Sequence, residues 1–148
     1  MSEVKKPKNV FIEGAISPDK IATSIAHHQV KTNIGAHDIF LGQVRADEIN
    51  GKTVQAIDYS CHEDMANQAF HDIREEAFDK FDLTCMHIYH SKGVVKAGEI
   101  CLFVFTSSAH RKEAMDACRF IVEEIKAKAP IFGKEVFEDN SHVWKENK

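Results

Sequence analysis

The chain has no apolar run near the roughly 20 residues that a membrane-spanning helix needs. It has no CxxC pair, no HExxH and no cysteine–histidine set at zinc spacing, so a metal site has no motif to rest on. GxGxxG, the P-loop pattern and GxSxG are missing as well, which removes the usual marks of dinucleotide binding, nucleotide hydrolysis and serine-hydrolase chemistry. A basic surplus is also lacking: 19 Lys and Arg face 23 Asp and Glu, for a formal net charge of -4. That balance argues against a nucleic-acid binder, and any anion site must come from a local cluster of cations. The opening MSEVKKPKNV has lysines but no apolar segment behind them. Residues 1–9 therefore read as a short flexible tail and not as a secretory signal, and the cytoplasm is the expected address.

What is present describes a single globular domain. The chain has 148 residues, 43% hydrophobic and 28% charged, enough for one core, expected over residues 10–148. Cys61, Cys85 and Cys101 fall in strand-like runs and Cys118 on a helix, so they read as buried thiols. A persulfide-carrying cysteine is the alternative, although none has a visibly cationic, exposed setting. Of the histidines, His87 and His90 are three apart in a strand and face opposite sides, while His27 and His28 diverge on a helix.

The periodicities alternate between strand and helix. Val10 to Gly14 reads as a short strand; Ser17 is a good N-cap with Pro18 after it, opening a helix through Ile21 and Ile25 that ends near Asn33. His37 to Ala46 is a strand, and Thr53 to Cys61 is expected as its hairpin partner across Asn50-Gly51. Glu63 to Phe81 is an amphipathic helix with Met65, Ala69, Ile73, Ala77 and Phe81 on the apolar side. Thr84 to His90 and Glu99 to Ser108 are strands separated by a turn region from Gly93 to Gly98. A second long helix from about Ala109 to Lys128 carries Ala114, Ala117, Cys118, Ile121, Val122 and Ile125 on one stripe, and Pro130 ends it. Short closing strands flank Asn140-Ser141. Helices and mostly adjacent antiparallel strands interleave, which gives an α+β class with two long helices and a short N-terminal one.

Three places could carry chemistry. At Ser107-Ser108-Ala109-His110-Arg111 a strand runs into the long helix, whose first amides and dipole favour an anion. His110 and Arg111 oppose that dipole, a penalty an anionic ligand would reverse; a solvated first turn under a serine cap accounts for the same residues. Lys126 lies one position beyond Ile125, at the border of the buried stripe, where desolvation would lower its pKa and suit it to proton transfer or nucleophilic attack. Lys126 and Lys128 also simply suit a helix C-terminus. The third place is Gly42-Gln43-Val44-Arg45, at the end of an apolar strand.

Taken in order, GAHDIFLGQVR, IDYSCHEDMA, His90-x-x-Gly93, TSSAHRKEA and IKAKAPIFGKE resemble the large subunit of molybdopterin synthase from about Gly35 to Trp144. The resemblance implies an α/β hammerhead-like fold and a sulfurtransferase needing no metal or cofactor. A small ubiquitin-like carrier ending in Gly-Gly, activated as a thiocarboxylate, would insert its tail and pass sulfur to cyclic pyranopterin monophosphate, making the dithiolene of molybdopterin. It further implies a homodimer within a heterotetramer. By motif, Lys126 would be the main catalytic lysine; Gln43, Val44 and Arg45 would bind the pterin, with His110 and Arg111 on its anionic end. Gly133, Lys134 and Glu135 would close the pocket, with Phe40 near it.

The sequence departs from the family's pattern in three places. The usual tryptophan is Phe132, and the first of two basic residues after it is Gly133, leaving Lys134 as a candidate replacement in catalysis. Ser91 stands where an arginine is usual, with Lys92 next to it as a source of charge. A non-catalytic binding module for a phosphorylated metabolite is the alternative from another class. An acyl-thioester hydrolase is disfavoured because no Ser–His–Asp or Cys–His arrangement is legible. His110 and Lys126 lie on one helix about 24 Å apart at about 1.5 Å per residue, so they cannot share one pocket unless the helix breaks; the simplest arrangement is a two-fold dimer in which His110 and Arg111 of one subunit complete the pocket of the other.

Overall fold

The structure is a computed structural model that describes residues 7–145; most of the expected N-terminal tail, residues 1–6, lies outside that range. The first apolar run forms β1 (Phe11–Glu13), and the Ser17 hydroxyl accepts the Asp19 amide to cap α1 (Pro18–His28). α1 stops short of the expected end near Asn33, and Val30 beyond it is 77% exposed. Past Ile25 the helix has no apolar side chain to hold another turn on the core.

β2 (Ala36–Gln43), β3 (Glu48–Ile49) and β4 (Lys52–Cys61) follow. Asn50 and Gly51 both have positive φ, 51 and 78°, as a tight two-residue hairpin needs. The arms of that hairpin are β3 and β4, not the expected pair: β2 pairs instead with β6 (Ile100–Ser108) along its whole length. The cause is local. The Val44 amide donates to the Glu99 carbonyl and the Val44 carbonyl accepts from the Gly98 amide, so the chain is pulled aside before the turn.

α2 (Glu63–Lys80) buries Ala66, Phe70, Ile73 and Ala77, whereas the expected Met65 is 60% exposed. Turning the helix this way buries the Phe70 ring in place of a methyl group at Ala69, a larger gain in apolar area. β5 (Cys85–Lys96) is longer than expected and passes straight through Gly93. Its first half pairs β6 and its second half pairs β4; Gly93, with φ 79°, is the bend between them, where any Cβ would collide with Glu13. α3 (Arg111–Lys128), β7 (Ile131–Phe137) and β8 (His142–Trp144) complete the chain.

The sheet runs β2-β6-β5-β4-β7-β8, with β1 parallel beside β5 and every other pairing antiparallel, which is the expected α+β arrangement. β6 is buried on both faces: Leu102 and Val104 join Phe70, Ile73, Ile121 and Ile125 from α2 and α3, while Phe103 and Phe105 pack with Ile16 and Ile21 under α1. Phe70 is 2% exposed, so Phe70→Ala should lower unfolding free energy by about 3–5 kcal/mol, read from the denaturant midpoint.

Under α1, His28 Nε2 lies 2.9 Å from His87 Nε2 while its Nδ1 lies 2.6 Å from the Ser24 carbonyl. Burial, with Lys8 and other nearby cations, pushes His87 down to about 4. The folded state therefore holds His87 neutral where the unfolded chain would protonate it below its ordinary 6.5. Stability from this group is complete above about pH 6.5 and is lost as pH falls towards about 4. Tm should drop over that window, and His87→Gln should make the acid limb shallower.

Candidate active site

Two adjoining cavities meet at the C-terminal end of α3 and share Tyr59, Lys126, Trp144 and Lys145. The wider, about 850 Å³, is lined further by Phe40, Gln43, Arg45, Cys101 and Glu135. The narrower, about 290 Å³, adds His90, Pro130, Phe132 and Gly133.

α3 brings Lys126 to this place because Ile125, 3% exposed, pins the last turn to the core and leaves the next side chain at its edge. Ala129 before Pro130 takes an extended conformation, which ends the helix there. Lys126 is exposed as a residue, yet its amine lies below the ordinary lysine value, chiefly because its crowded surroundings desolvate it. Cys101 works against that shift and the charge of Lys145 adds to it. A lysine so placed carries a larger fraction of free amine at neutral pH than one in water.

Arg45 follows the end of β2 by two residues, with its side chain 75% exposed and ion-paired to Asp47 at 3.2 Å. Such a surface pair is worth little, so the guanidinium can trade it for a better anion. A register shift between Gly42 and Gln43 re-aims the strand end so that Gln43 also faces the wide cavity. Val44 does not: it is 2% exposed, and both its backbone groups are engaged by the Gly98–Glu99 turn, so it braces the strand end from within.

On β7 the residues alternate. Gly133 borders the narrow cavity, and Glu135, 8% exposed, borders the wide one; its Oε2 has no hydrogen-bond partner among the described residues. Lys134 lies between them and lines neither, its ammonium 5.9 Å from the Trp144 ring centroid. Lys92 is held by Glu63 at 3.0 Å, at the start of α2, and supplies no charge to either cavity.

His110 and Arg111 are at the other end of α3. His110 is the N-cap and makes no side-chain cap bond; the expected serine cap is absent because Ser107 and Ser108 are buried in β6, where the Ser108 hydroxyl donates to the Asp82 carbonyl at 2.7 Å. The first-turn amides are thus left open, and both His110 and Arg111 are exposed. α3 is a single unbroken element between them and Lys126, so within one chain the two groups stand about 24 Å apart.

Four lining residues were not among the expected site residues, although Tyr59 and His90 fall in segments that carry the family resemblance. Tyr59 sits mid-strand, and burial, followed by Cys101 and Glu135, raises its phenol well above the ordinary value. His90 is 4% exposed, with Nδ1 2.7 Å from the Ser91 carbonyl, and burial pushes it down to about 4, so it is neutral. Trp144 and Lys145 come from the closing segment, where only a strand was legible. The thiols are free; Cys85, Cys101 and Cys118 are buried and Cys61 partly so. Burial pushes Cys118 up to about 12, away from a reactive thiolate. Among the described residues no group of three or more His, Cys, Asp or Glu is placed to hold a metal ion, and no helix is long and apolar enough to cross a membrane.

Arg45 and Lys126 thus line one wide cavity on an otherwise acidic α+β protein. The chain belongs to the MoaE protein family, whose model matches residues 12–128. The molybdopterin synthase catalytic subunit of Pyrococcus abyssi is 36% identical over 144 residues, 97% of this chain and 89% of that relative. The protein of the same name from Oryza sativa subsp. indica is 40% identical over 114 residues, 77% of this chain but 58% of that longer relative. The solved structure of molybdopterin synthase from Staphylococcus aureus has a TM-score of 0.80 at 25% identity, covering 97% of this chain and 99% of its own. A complex of subunits 1 and 2 of molybdopterin-converting factor from Helicobacter pylori shares the fold, with a TM-score of 0.79 at 21% identity, covering 93% and 90%.

Proposed function

We propose that this chain is the catalytic subunit of a molybdopterin synthase, acting in the cytoplasm as one domain over residues 10–148. The observation that carries the reading is the convergence of Gln43, Arg45, Lys126 and Glu135, from separate stretches of sequence, on one cavity. Cyclic pyranopterin monophosphate occupies the wide cavity, its phosphate exchanging for Asp47 on the Arg45 guanidinium and its ring near Phe40. The narrow cavity receives the tail of a ubiquitin-like carrier, since a Gly-Gly end has no side chains to exclude. As the terminal thiocarboxylate sulfur bonds to a side-chain carbon of the pterin, the C–O bond at that carbon breaks and its oxygen leaves as water or stays on the opened phosphate ester; water then hydrolyses the acyl link, so the carrier departs as a carboxylate. A second carrier supplies the other sulfur. Lys126, beside the acyl carbon, moves the protons that these steps require. His110 and Arg111 of a second copy, related by a two-fold axis, close the pterin site within a heterotetramer. Glu135 forms part of the pterin site's remaining border, and Gly133 borders the tail cavity.

Reconstitution with a thiocarboxylated carrier and the cyclic pterin, following dithiolene formation, tests this directly. Formation of the dithiolene is expected; pterin binding with no transfer would leave a binding module instead. Arg45→Ala should raise the KM for the pterin by about 10- to 100-fold with a much smaller change in kcat, because a charged hydrogen bond to phosphate is lost.

A further inference from the structure

The residue after β8, Lys145, extends the β7–β8 ladder by one rung: its amide donates to the Gly133 carbonyl at 2.7 Å. That rung fixes where its side chain starts. A Cβ placed on Gly133 would stand 3.7 Å from the Lys145 Cβ, with Ile57 and Tyr59 as the other walls of the same small space. Glycine at 133 therefore keeps clear a small gap between Ile57, Tyr59 and the Lys145 Cβ, in which an added Cβ would already stand 3.1 Å from Ile57 Cγ2, and the side chain that adjoins it is a lysine. Lys145 borders both cavities together with Lys126.

Two lysines on one concave surface repel each other, and here the charge of Lys145 already counts against protonation of Lys126. Lys145 has no carboxylate within ion-pairing distance among the described residues. An anion lodged between the two amines turns that repulsion into attraction. The narrow cavity is the place where both reach, and on the reading above an anionic chain end arrives there.

We propose that Lys145 is the second cation of the tail-binding cavity, filling the space over Gly133 and gripping the carboxylate-like end of the carrier's tail opposite Lys126. This rests on the functional reading just given. It assigns to the closing segment a direct part in the site, and it gives glycine at 133 a reason: a side chain there would compete with Lys145 for the same space.

The test compares wild type, Lys145→Ala, Lys145→Arg and the double variant Gly133→Lys with Lys145→Ala, each with a thiocarboxylated carrier and the cyclic pterin. Lys145→Ala keeps the backbone rung, so its melting curve should match wild type, while the KM for the carrier rises about tenfold or more and the KM for the pterin moves little. Lys145→Arg should retain most of the affinity, and a lysine returned from position 133 should restore it to within a few-fold. The pH profile gives an independent reading. Lys126 is faced by Tyr59 of β4, His90 of β5, Cys101 of β6, Glu135 of β7 and Arg45 beyond β2. With all of these unchanged, loss of the Lys145 charge should move the limb that reports Lys126 to higher pH. An unchanged carrier KM and an unmoved limb in Lys145→Ala would overturn the inference, as would a rise confined to the pterin KM. If Gly133→Lys, 3.1 Å from the Ile57 Cγ2, does not fold, the alanine and arginine variants decide alone. Dithiolene formation by wild type in the same series keeps the functional reading standing whichever way Lys145 falls; its absence in wild type overturns that reading itself.

Discussion

Lys126→Ala is expected to lower the rate of dithiolene formation by about 10²- to 10⁴-fold, the usual range for a positioned acid–base group, while the pterin still binds. The expectation follows from where the residue sits. Ile125, with Val122 and Ala129, anchors the helix end, so removing the Lys126 side chain takes nothing from the core and should leave Tm close to wild type. Arg45 remains to hold the phosphate. What disappears is an amine that desolvation keeps below the ordinary 10.5. Lys126→Arg should fail nearly as badly, because a guanidinium cannot give up its proton at any working pH. For wild type the sign is definite: a step that uses the free amine accelerates as pH rises through the lowered pKa and then levels off. Stability shifts in the same direction, since between that lowered value and 10.5 the unfolded chain binds more protons than the folded one. Single-turnover sulfur transfer beside direct measurement of pterin binding separates the two effects. A rate within a few-fold of wild type in Lys126→Ala would remove this residue from the chemistry.

How much of this was legible beforehand depends on the kind of signal. Local chemistry read well. Ser17-Pro18 marked the start of α1, Pro130 the end of α3, and Asn50-Gly51 a tight turn, because caps and turns are decided within a few residues. Pairing did not. The two runs flanking Asn50-Gly51 looked like partners, yet β2 goes to β6, because the Gly98 and Glu99 backbone captures Val44 from more than fifty positions away. The turn expected from Gly93 to Gly98 is confined to residues 97–99, because at Gly93 the strand bends and changes partners from the adjoining β6 to the distant β4. In α2 Ile73 and Ala77 are buried as expected, but the first two turns are off by one, since the competition between Ala69 and Phe70 for the core is settled by what faces them.

The site divides along the same line. Arg45 and Lys126, which the structure places on one cavity, were legible as candidates because each stands at the end of an element, where a charged residue beside an apolar run is visible. Tyr59 and His90 are mid-strand and look like ordinary members of an alternating pattern until the sheet curls them towards α3. Lys145 was invisible for a plainer reason: nothing in the sequence says that the closing segment folds back over Gly133.

Mixing two inactive proteins should recover activity. On the composite site proposed above, Lys126→Ala spoils a subunit's own half of the pocket, whereas a double His110→Ala and Arg111→Ala variant spoils the half it lends to its neighbour. In a mixed dimer one pocket takes both defects and the other takes neither. Random exchange at equal amounts makes half the dimers mixed, each with one intact pocket of two, so about a quarter of wild-type activity should return from two preparations that have almost none. The alternative geometry gives nothing back: if His110 and Arg111 served the pocket of their own chain, every pocket in the mixture would carry one defect. The straight course of α3 makes that alternative costly, because closing about 24 Å within one chain would mean breaking an 18-residue helix whose buried stripe runs unbroken from Ala114 to Ile125. Breaking it would expose Cys118 and Ile121, which are 3% and 0% exposed, and no pterin contact offsets the loss of that much core. Activity that stays at the level of the separate variants, after exchange has been verified with tagged subunits, would place the anion end of α3 outside the catalytic site.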